Sequence, residues 1–548
     1  VTLLGPTPAI VNKLHRQEGV AEAISDLDPL HYPIAFPEVF LRDRPGFDCI
    51  LGNPPWEKLH VEEHQWWGLR APGIRGLPTA QMNREVRKLQ TSRPDLLAEY
   101  LADVSATDKA RQVLMSGPYP DLGSSHPDLY KAFSWRFWQL TASLGGIGVV
   151  LPRAALASSG MSSWRNTVLE NGDFVEVTTT TNTGGWVFDD AEHRYTIAFV
   201  SIRRTNVADD TVSIRGPFNS FASYRIGLTQ PPFELPVNGL KEWTSGTVFP
   251  LIPGTKAGGV FLKLRSAPRL DSSTHPWTLR AVQGDLNATT GKSDMIMATE
   301  GAEGQWPVYK GSSFNLWKPS TGEYYASADP EHVTLVLQAR RRASVLRTGS
   351  AFAAMTAAQL ADPTTLPCRT PRIAFRDVAR ATDSRTLICA LIPPDVILTH
   401  KAPYLLRVRG DARHEAYLLG VLSSIPLDWF ARRLVETSVS FDLLHGFPIP
   451  QLKREHRWHR LVEISGRLAA VDERYGEWAS AVGVPVASVK SEAEKNDLIA
   501  ELDAVVSHLY GLNEDDVTTI FETFHVGWDY TPRLTQVLEH FRAWEDRL

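Results

Sequence analysis

Asn53-Pro54-Pro55-Trp56 brings together groups that suit one kind of reaction. The asparagine side-chain oxygen and the Pro54 backbone carbonyl are two acceptors that can be aimed at the two hydrogens of an exocyclic amine on a nucleobase. Such an amine is a poor nucleophile because its lone pair is delocalised into the ring. Acceptors fixed in advance localise that lone pair as charge develops. Two consecutive prolines restrict the backbone, so the Pro54 carbonyl keeps its aim. Trp56 offers a flat apolar face for a base turned out of its helix. The chemistry this suggests is methyl transfer to the amine. The plainer alternative is a proline-rich turn with a packed tryptophan, and the surrounding elements must decide between them.

Those elements begin with Phe47-Asp-Cys-Ile-Leu-Gly52. Its mostly apolar residues read as a buried parallel strand. Two prolines can continue neither a sheet nor a helix interior, so the strand must stop there. A rigid loop at the carboxyl end of a strand is where open α/β sheets bind ligands.

With 548 residues the chain is long enough for two to four domains. Hydrophobic residues at 43% and charged residues at 22% are ordinary for a soluble protein, and no apolar run or leader is long enough to suggest a membrane segment. A cytoplasmic protein is the expectation. Cys49, Cys368 and Cys389 are too few and too scattered for a disulfide framework or a zinc site, and Cys49 reads as a small core residue. The net charge of -5 means that any DNA contact must come from local basic patches. His60 and His64 stand at helical spacing beside Glu62 and Glu63, without further ligands, and read as a solvated helix face, so no metal is expected.

The four residues Asn53 to Trp56 resemble the signature of amino-type DNA methyltransferases, Asn/Asp/Ser-Pro-Pro-aromatic, at every place. With its approach, "HYPIAFPEVF…GFDCILGNPPW", the chain is similar to the Eco57I-like adenine-specific methylases of restriction-modification and phage-defence systems. The resemblance implies S-adenosylmethionine as donor, double-stranded DNA as partner, and catalytic roles for Asn53, Pro54, Pro55 and Trp56. Asn53 in the first place favours adenine over cytosine. It also implies that Phe188, in the Gly184-Gly-Trp-Val-Phe-Asp-Asp190 segment, helps shape the base pocket, although a buried structural role competes. One part of the family pattern is missing. The glycine-rich loop for the donor belongs upstream of the Asn-Pro-Pro loop, and residues 1–46 hold nothing like it; Leu4-Gly5-Pro6 cannot present the backbone amides required. The chain also starts at Val1, and the expectation is that another polypeptide or an upstream part supplies the cofactor-binding half.

The resulting reading is α/β: a partial doubly wound, Rossmann-like methyltransferase sheet, then an α+β target-recognition domain, then a helical C-terminal region. The methyltransferase part covers 1–205, with a helical insertion at 57–142 marked by spaced apolar residues among charges. The segment 31–40 looks extended because of its prolines. Pro127 and Asp128 start an aromatic helix, and strands follow Gly145-Gly146 and fill 174–180 and 195–203. Residues 206–250 read as a linker. The region 251–450, with its "YKG" and "R-D-x-A…RT" elements, looks like the target-recognition part of combined restriction-modification methylases. Lys310, Arg372, Arg376, Arg380 and Arg385 are its candidate DNA contacts, suited to clamping phosphates and reaching guanine edges, with a salt-bridged surface as the alternative. The tail 451–548 has helical periodicity, with Lys453, Arg454, Arg457 and Arg460 on it. Against the enzyme reading stands a second one: a DNA-binding subunit whose methylase fold is incomplete and which needs a partner chain for the cofactor.

Overall fold

In the computed structural model the structure describes residues 30–122, 127–193, 195–206, 209–244, 246–296, 303–379, 383–451, 455–525 and 527–545. The chain divides into two units, 1–213 and 214–548.

In the first unit, two short helices, α1 (Tyr32–Ala35) and α2 (Pro37–Phe40), lead into β1 (Phe47–Gly52). The approach is therefore helical and not extended as its prolines suggested. Each helix carries a proline in its first turn, where the missing N–H is not needed. Tyr32, Phe36, Phe40 and Phe47 then pack ring against ring, with centroids 5.4–6.4 Å apart.

After β1 come the expected insertion helices α3 (Glu63–Arg70), α4 (Thr79–Ser92) and α5 (Pro94–Ser116). They enclose a small core of their own around Trp66, Trp67, Ile74 and Val86. The aromatic helix α6 (Leu129–Leu140) begins just after Asp128, as its sequence indicated, and runs directly into β2 (Thr141–Pro152). Helix α7 (Ser162–Asn171), β3 (Asp173–Thr181) and β4 (Thr196–Arg203) complete the unit.

Within this unit the strand order is β1-β2-β4-β3. β1 lies parallel to β2, with Ile50 opposite Ile147 and Gly52 opposite Val149. β4 is antiparallel to both β2 and β3. β1, β2 and β3 therefore share one direction, and their carboxyl ends come out on the same side of the sheet.

β1 departs from the expected buried strand. It lies at the end of the strand order, Cys49 is exposed instead of packed in a core, and Leu51 is 81% exposed. Strands in parallel sheets are ordinarily covered on both faces. This one is covered on one, where the Phe137 ring of α6 presses on Gly52: a Cβ there would lie 2.8 Å from Phe137 Cζ.

The second unit is where the sequence suggested a linker at its start, but the chain there is structured. β5 (Thr211–Phe218) runs across the boundary, and α8 (Phe221–Leu228), β6 (Phe233–Pro236) and α9 (Val237–Trp243) follow. Further on, β7 (Thr278–Val282), β10 (Arg372–Phe375), β11 (Cys389–Ile392) and β13 (Tyr404–Arg409) form a sheet in the order β11-β10-β13-β7. β8 (Trp306–Tyr309), β9 (Ala326–Ala328) and β12 (Ile397–Leu398) form another in the order β12-β8-β9. The helical tail extends forward of residue 451. Helices Ala412–Ser423 and Ile425–Leu434, buried along almost their whole length, pack with Glu455–Ala469 and Glu492–Leu509.

Candidate base-binding site at the carboxyl ends of the parallel strands

The Asn-Pro-Pro-Trp segment follows β1 directly. Upstream it is held by the β1–β2 ladder. Downstream it is held by the Leu59 amide donating to the Pro127 carbonyl (2.9 Å) and the Leu129 amide donating to the Glu57 carbonyl (3.0 Å), so the start of α6 grips the far side of the loop. Between these anchors Pro54 is buried, while Asn53 and Pro55 are exposed. Among the described residues no donor occupies Asn53 Oδ1 or the Pro54 carbonyl. Asn53 thus presents an exposed acceptor on a stiff backbone, and the Pro54 carbonyl beside it is buried and without a donor among the described residues.

Trp56 is half-buried, with its ring 6.2 Å from that of Phe188 at 85° and 6.3 Å from that of Tyr195 at 61°. Phe188 and Tyr195 come from the loop joining β3 to β4, at the carboxyl end of another strand of the parallel set. Phe188 is half-buried and Tyr195 is 52% exposed. Three aromatic rings from two strand ends therefore meet close to an asparagine whose Oδ1 has no donor among the described residues. Edge-on ring packing of this kind fixes relative tilt as well as contact.

Sequence reasoning named Phe188 but missed Tyr195 and the residue that organises the loop, Asn182. Asn182 is fully buried. Its Nδ2 donates to the carbonyls of Phe188 (2.9 Å) and Ala191 (3.2 Å). Its Oδ1 accepts from the amides of Val187 and Phe188, both at 3.1 Å. The signal that could have found it is its position, immediately after the Thr178–Thr181 run and two residues before Gly184-Gly185, both of which adopt left-handed backbone at φ 70° and 74°.

The arginines predicted to touch DNA in the second unit mostly do something else. Arg372 is buried: it pairs with Asp285, with Nη2 to Oδ2 at 2.5 Å, donates to the Val396 carbonyl at 2.9 Å, and stands 4.3 Å over the Tyr404 ring. Arg385 pairs with Asp428, which is itself fully buried and also accepts from the amides of Thr386 and Leu387. Both guanidiniums are turned inward, Arg372 almost completely and Arg385 for the most part, and each balances a carboxylate that would otherwise be buried alone. Arg376 is half-buried and donates to the Phe314 carbonyl at 2.6 Å, and burial lowers its pKa. Lys310 is half-exposed, and its ammonium has no ion-pair partner among the described residues. Arg380, like Lys453 and Arg454, lies outside the described residues. Arg460 of the tail pairs with Glu463 and Glu501, and Arg457 is buried. No group of three metal-ligating side chains occurs among the described residues, nor any helix long and apolar enough to cross a membrane.

No family model matches the chain, and no curated protein does. Among solved structures it is similar to the type IIL restriction-modification enzyme MmeI in complex with DNA, at 11% identity, covering 91% of this chain and 57% of that one with a TM-score of 0.36. It is similar to the type IIG restriction endonuclease BpuSI at 13% identity, covering 73% and 52% with a TM-score of 0.25. A third is the DrdV–DNA complex, at 13% identity, 78% and 44% coverage and a TM-score of 0.31. The chain spans about half the length of these proteins. At such low TM-scores and identities the likenesses bear no weight for binding or chemistry.

Proposed function

We propose that this chain is the catalytic and target-reading portion of an enzyme that methylates the exocyclic amine of adenine in double-stranded DNA, with S-adenosylmethionine as donor, in a restriction-modification or phage-defence system. The observation that carries the reading is the exposed Asn53, without a partner among the described residues, at the carboxyl end of a parallel strand, with Trp56, Phe188 and Tyr195 beside it. In this reading Asn53 Oδ1 and the Pro54 carbonyl accept the two hydrogens of an extruded adenine amine, and the aromatic residues hold the ring. The surplus proton leaves to solvent after transfer. The exposed Asn53 beside the aromatic grouping also counts against the bland alternative, a merely packed Trp56, since a structural turn has no need of an open acceptor there.

The residues present fit the amine side of this reaction and not the donor side. The described residues ahead of β1 form two four-residue helices with no glycine-rich turn, and the outer edge of β1 has no strand neighbour among the described residues. S-adenosylmethionine supplies the methyl group, and its cradle is expected from a second polypeptide segment that adds a strand along β1 and covers Cys49 and Leu51. The same features support the second reading, a DNA-binding subunit of a defence complex that does not methylate alone.

Asn53→Ala in the assembled enzyme should cut incorporation of labelled methyl groups into DNA by about 100-fold or more, the scale of losing one preorganised acceptor at a reacting centre. Transfer at the wild-type rate would sink the catalytic assignment. Calorimetry on the isolated chain separates the two readings: no heat with S-adenosylmethionine but intact DNA binding favours the subunit. In the target-reading unit, Lys310→Ala should lower the slope of log affinity against log salt by about one if its ammonium meets a phosphate. An unchanged slope removes Lys310 from the interface.

A further inference from the structure

Asn182 uses every hydrogen-bonding position of its amide on one loop. Two donors meet the carbonyls of Phe188 and Ala191, and two lone pairs meet the amides of Val187 and Phe188. Its backbone amide also donates to the carbonyl of Tyr195 at 2.9 Å. The side chain of this fully buried residue therefore fastens Phe188, and its backbone fastens Tyr195; these are the two rings that face Trp56. Nothing about keeping β3 and β4 together requires this, because those strands are already paired from Asp173–Arg203 to Thr181–Thr196. What the network fixes is the loop beyond the ladder.

Tyr195 is the more open of the two rings. At 52% exposed it leaves a large aromatic face to solvent at the rim of the site, while its backbone is held on both sides, by Asn182 and by its own amide donating to the Glu192 carbonyl at 3.0 Å. A rigidly mounted, solvent-facing ring close to the Asn53 acceptor matches what stacking on an extruded base demands.

We propose that Asn182 is the positioning residue whose side chain sets the loop carrying Phe188, and that Tyr195 at the far end of that loop is a further ring held toward the target base beside Trp56. This rests on the methyltransferase reading for the identity of the ligand, but the clamp itself does not.

The test uses the assembled enzyme carrying Asn182→Ala, Asn182→Asp, Tyr195→Ala or Tyr195→Phe. Unmethylated genomic DNA serves as substrate and amide hydrogen exchange reports on residues 183–195. Asn182→Asp turns two donors into acceptors facing carbonyls and should loosen the loop at least as much as Asn182→Ala. In both variants the amides of Val187 and Phe188 should exchange faster while the β3 and β4 amides keep their protection, with kcat lowered about tenfold or more and DNA affinity nearly unchanged. Tyr195→Ala should lose about tenfold in kcat/KM, and Tyr195→Phe, which keeps the ring, should stay near wild type.

Unchanged exchange in Asn182→Ala overturns the clamp. So does a uniform loss of melting temperature, DNA affinity and rate, which would mark Asn182 as merely structural. Tyr195→Phe as impaired as Tyr195→Ala, or Tyr195→Ala as active as wild type, overturns the stacking role of Tyr195. A wild-type enzyme that transfers no methyl group, or full activity in Asn53→Ala, removes the functional reading and that role with it, while amide exchange still decides the clamp.

Discussion

Asn53 in the first unit and Arg372 in the second are both polar side chains in segments that look functional, yet the fold treats them oppositely. Arg372 is enclosed and every charge near it is answered, by Asp285, the Val396 carbonyl and the Tyr404 ring. Asn53 stands in the open on a stiff backbone with its acceptor unused among the described residues. A polar group recruited to hold a fold together is satisfied by that fold, because leaving it unpaired in the interior costs too much. A polar group kept for a ligand is left wanting one. Residue type does not separate the two cases; the state of the partners does.

The contrast breaks most readily at the arginines. Arg372→Ala and Arg385→Ala should each destabilise the second unit by about 3–5 kcal/mol in urea denaturation, since each strands a buried aspartate. Variants that lose DNA affinity at unchanged stability would return these residues to the interface.

Glu415 gives the next largest effect. It is buried against Arg407 and accepts from Trp478 Nε1 at 2.9 Å, and burial pushes its carboxyl up to about 6. A folded state that holds the proton more tightly than the unfolded chain gains stability at low pH. That gain is complete below the ordinary carboxyl range and is lost as pH rises through about 6. The stability of wild type relative to Glu415→Gln should therefore fall by about 2 kcal/mol in all between about pH 3.5 and 7, most of it between 4.5 and 6. A flat difference across that window would contradict it.

Gly52→Ala, which presses a methyl group on the Phe137 ring, should lower stability by about 1 kcal/mol and disturb Asn53 next to it. Asn53→Ala itself should change stability by less than about 0.5 kcal/mol despite its large effect on transfer. A larger loss would mean that the fold, too, depends on that side chain.

Local chemistry was legible in the sequence and long-range pairing was not. Pro54-Pro55 marks where β1 ends, Pro127-Asp128 marks the start of α6, and the strands expected at 174–180 and 195–203 coincide with β3 and β4 to within a residue. The prolines at 33 and 37 misled because proline in a first helical turn looks the same in sequence as proline in an extended segment. Arg372 and Asp285 are 87 residues apart and Arg385 and Asp428 are 43 apart, so neither aspartate could be matched to its arginine from the string alone. Asn182 was passed over because an asparagine before two glycines reads as a turn, and its four bonds exist only once the loop has closed on it.

Cys49 turns the bare flank of the first sheet into a usable handle. Of the three thiols in the chain it is the exposed one, Cys368 and Cys389 being enclosed. A maleimide dye would attach to the very strand whose outer edge has no strand neighbour among the described residues, so the rate at which that thiol reacts becomes a gauge of whether anything has zipped onto β1. Left uncovered, the same edge invites two copies to join through it. Preparations in which that edge stays open are therefore expected to self-associate.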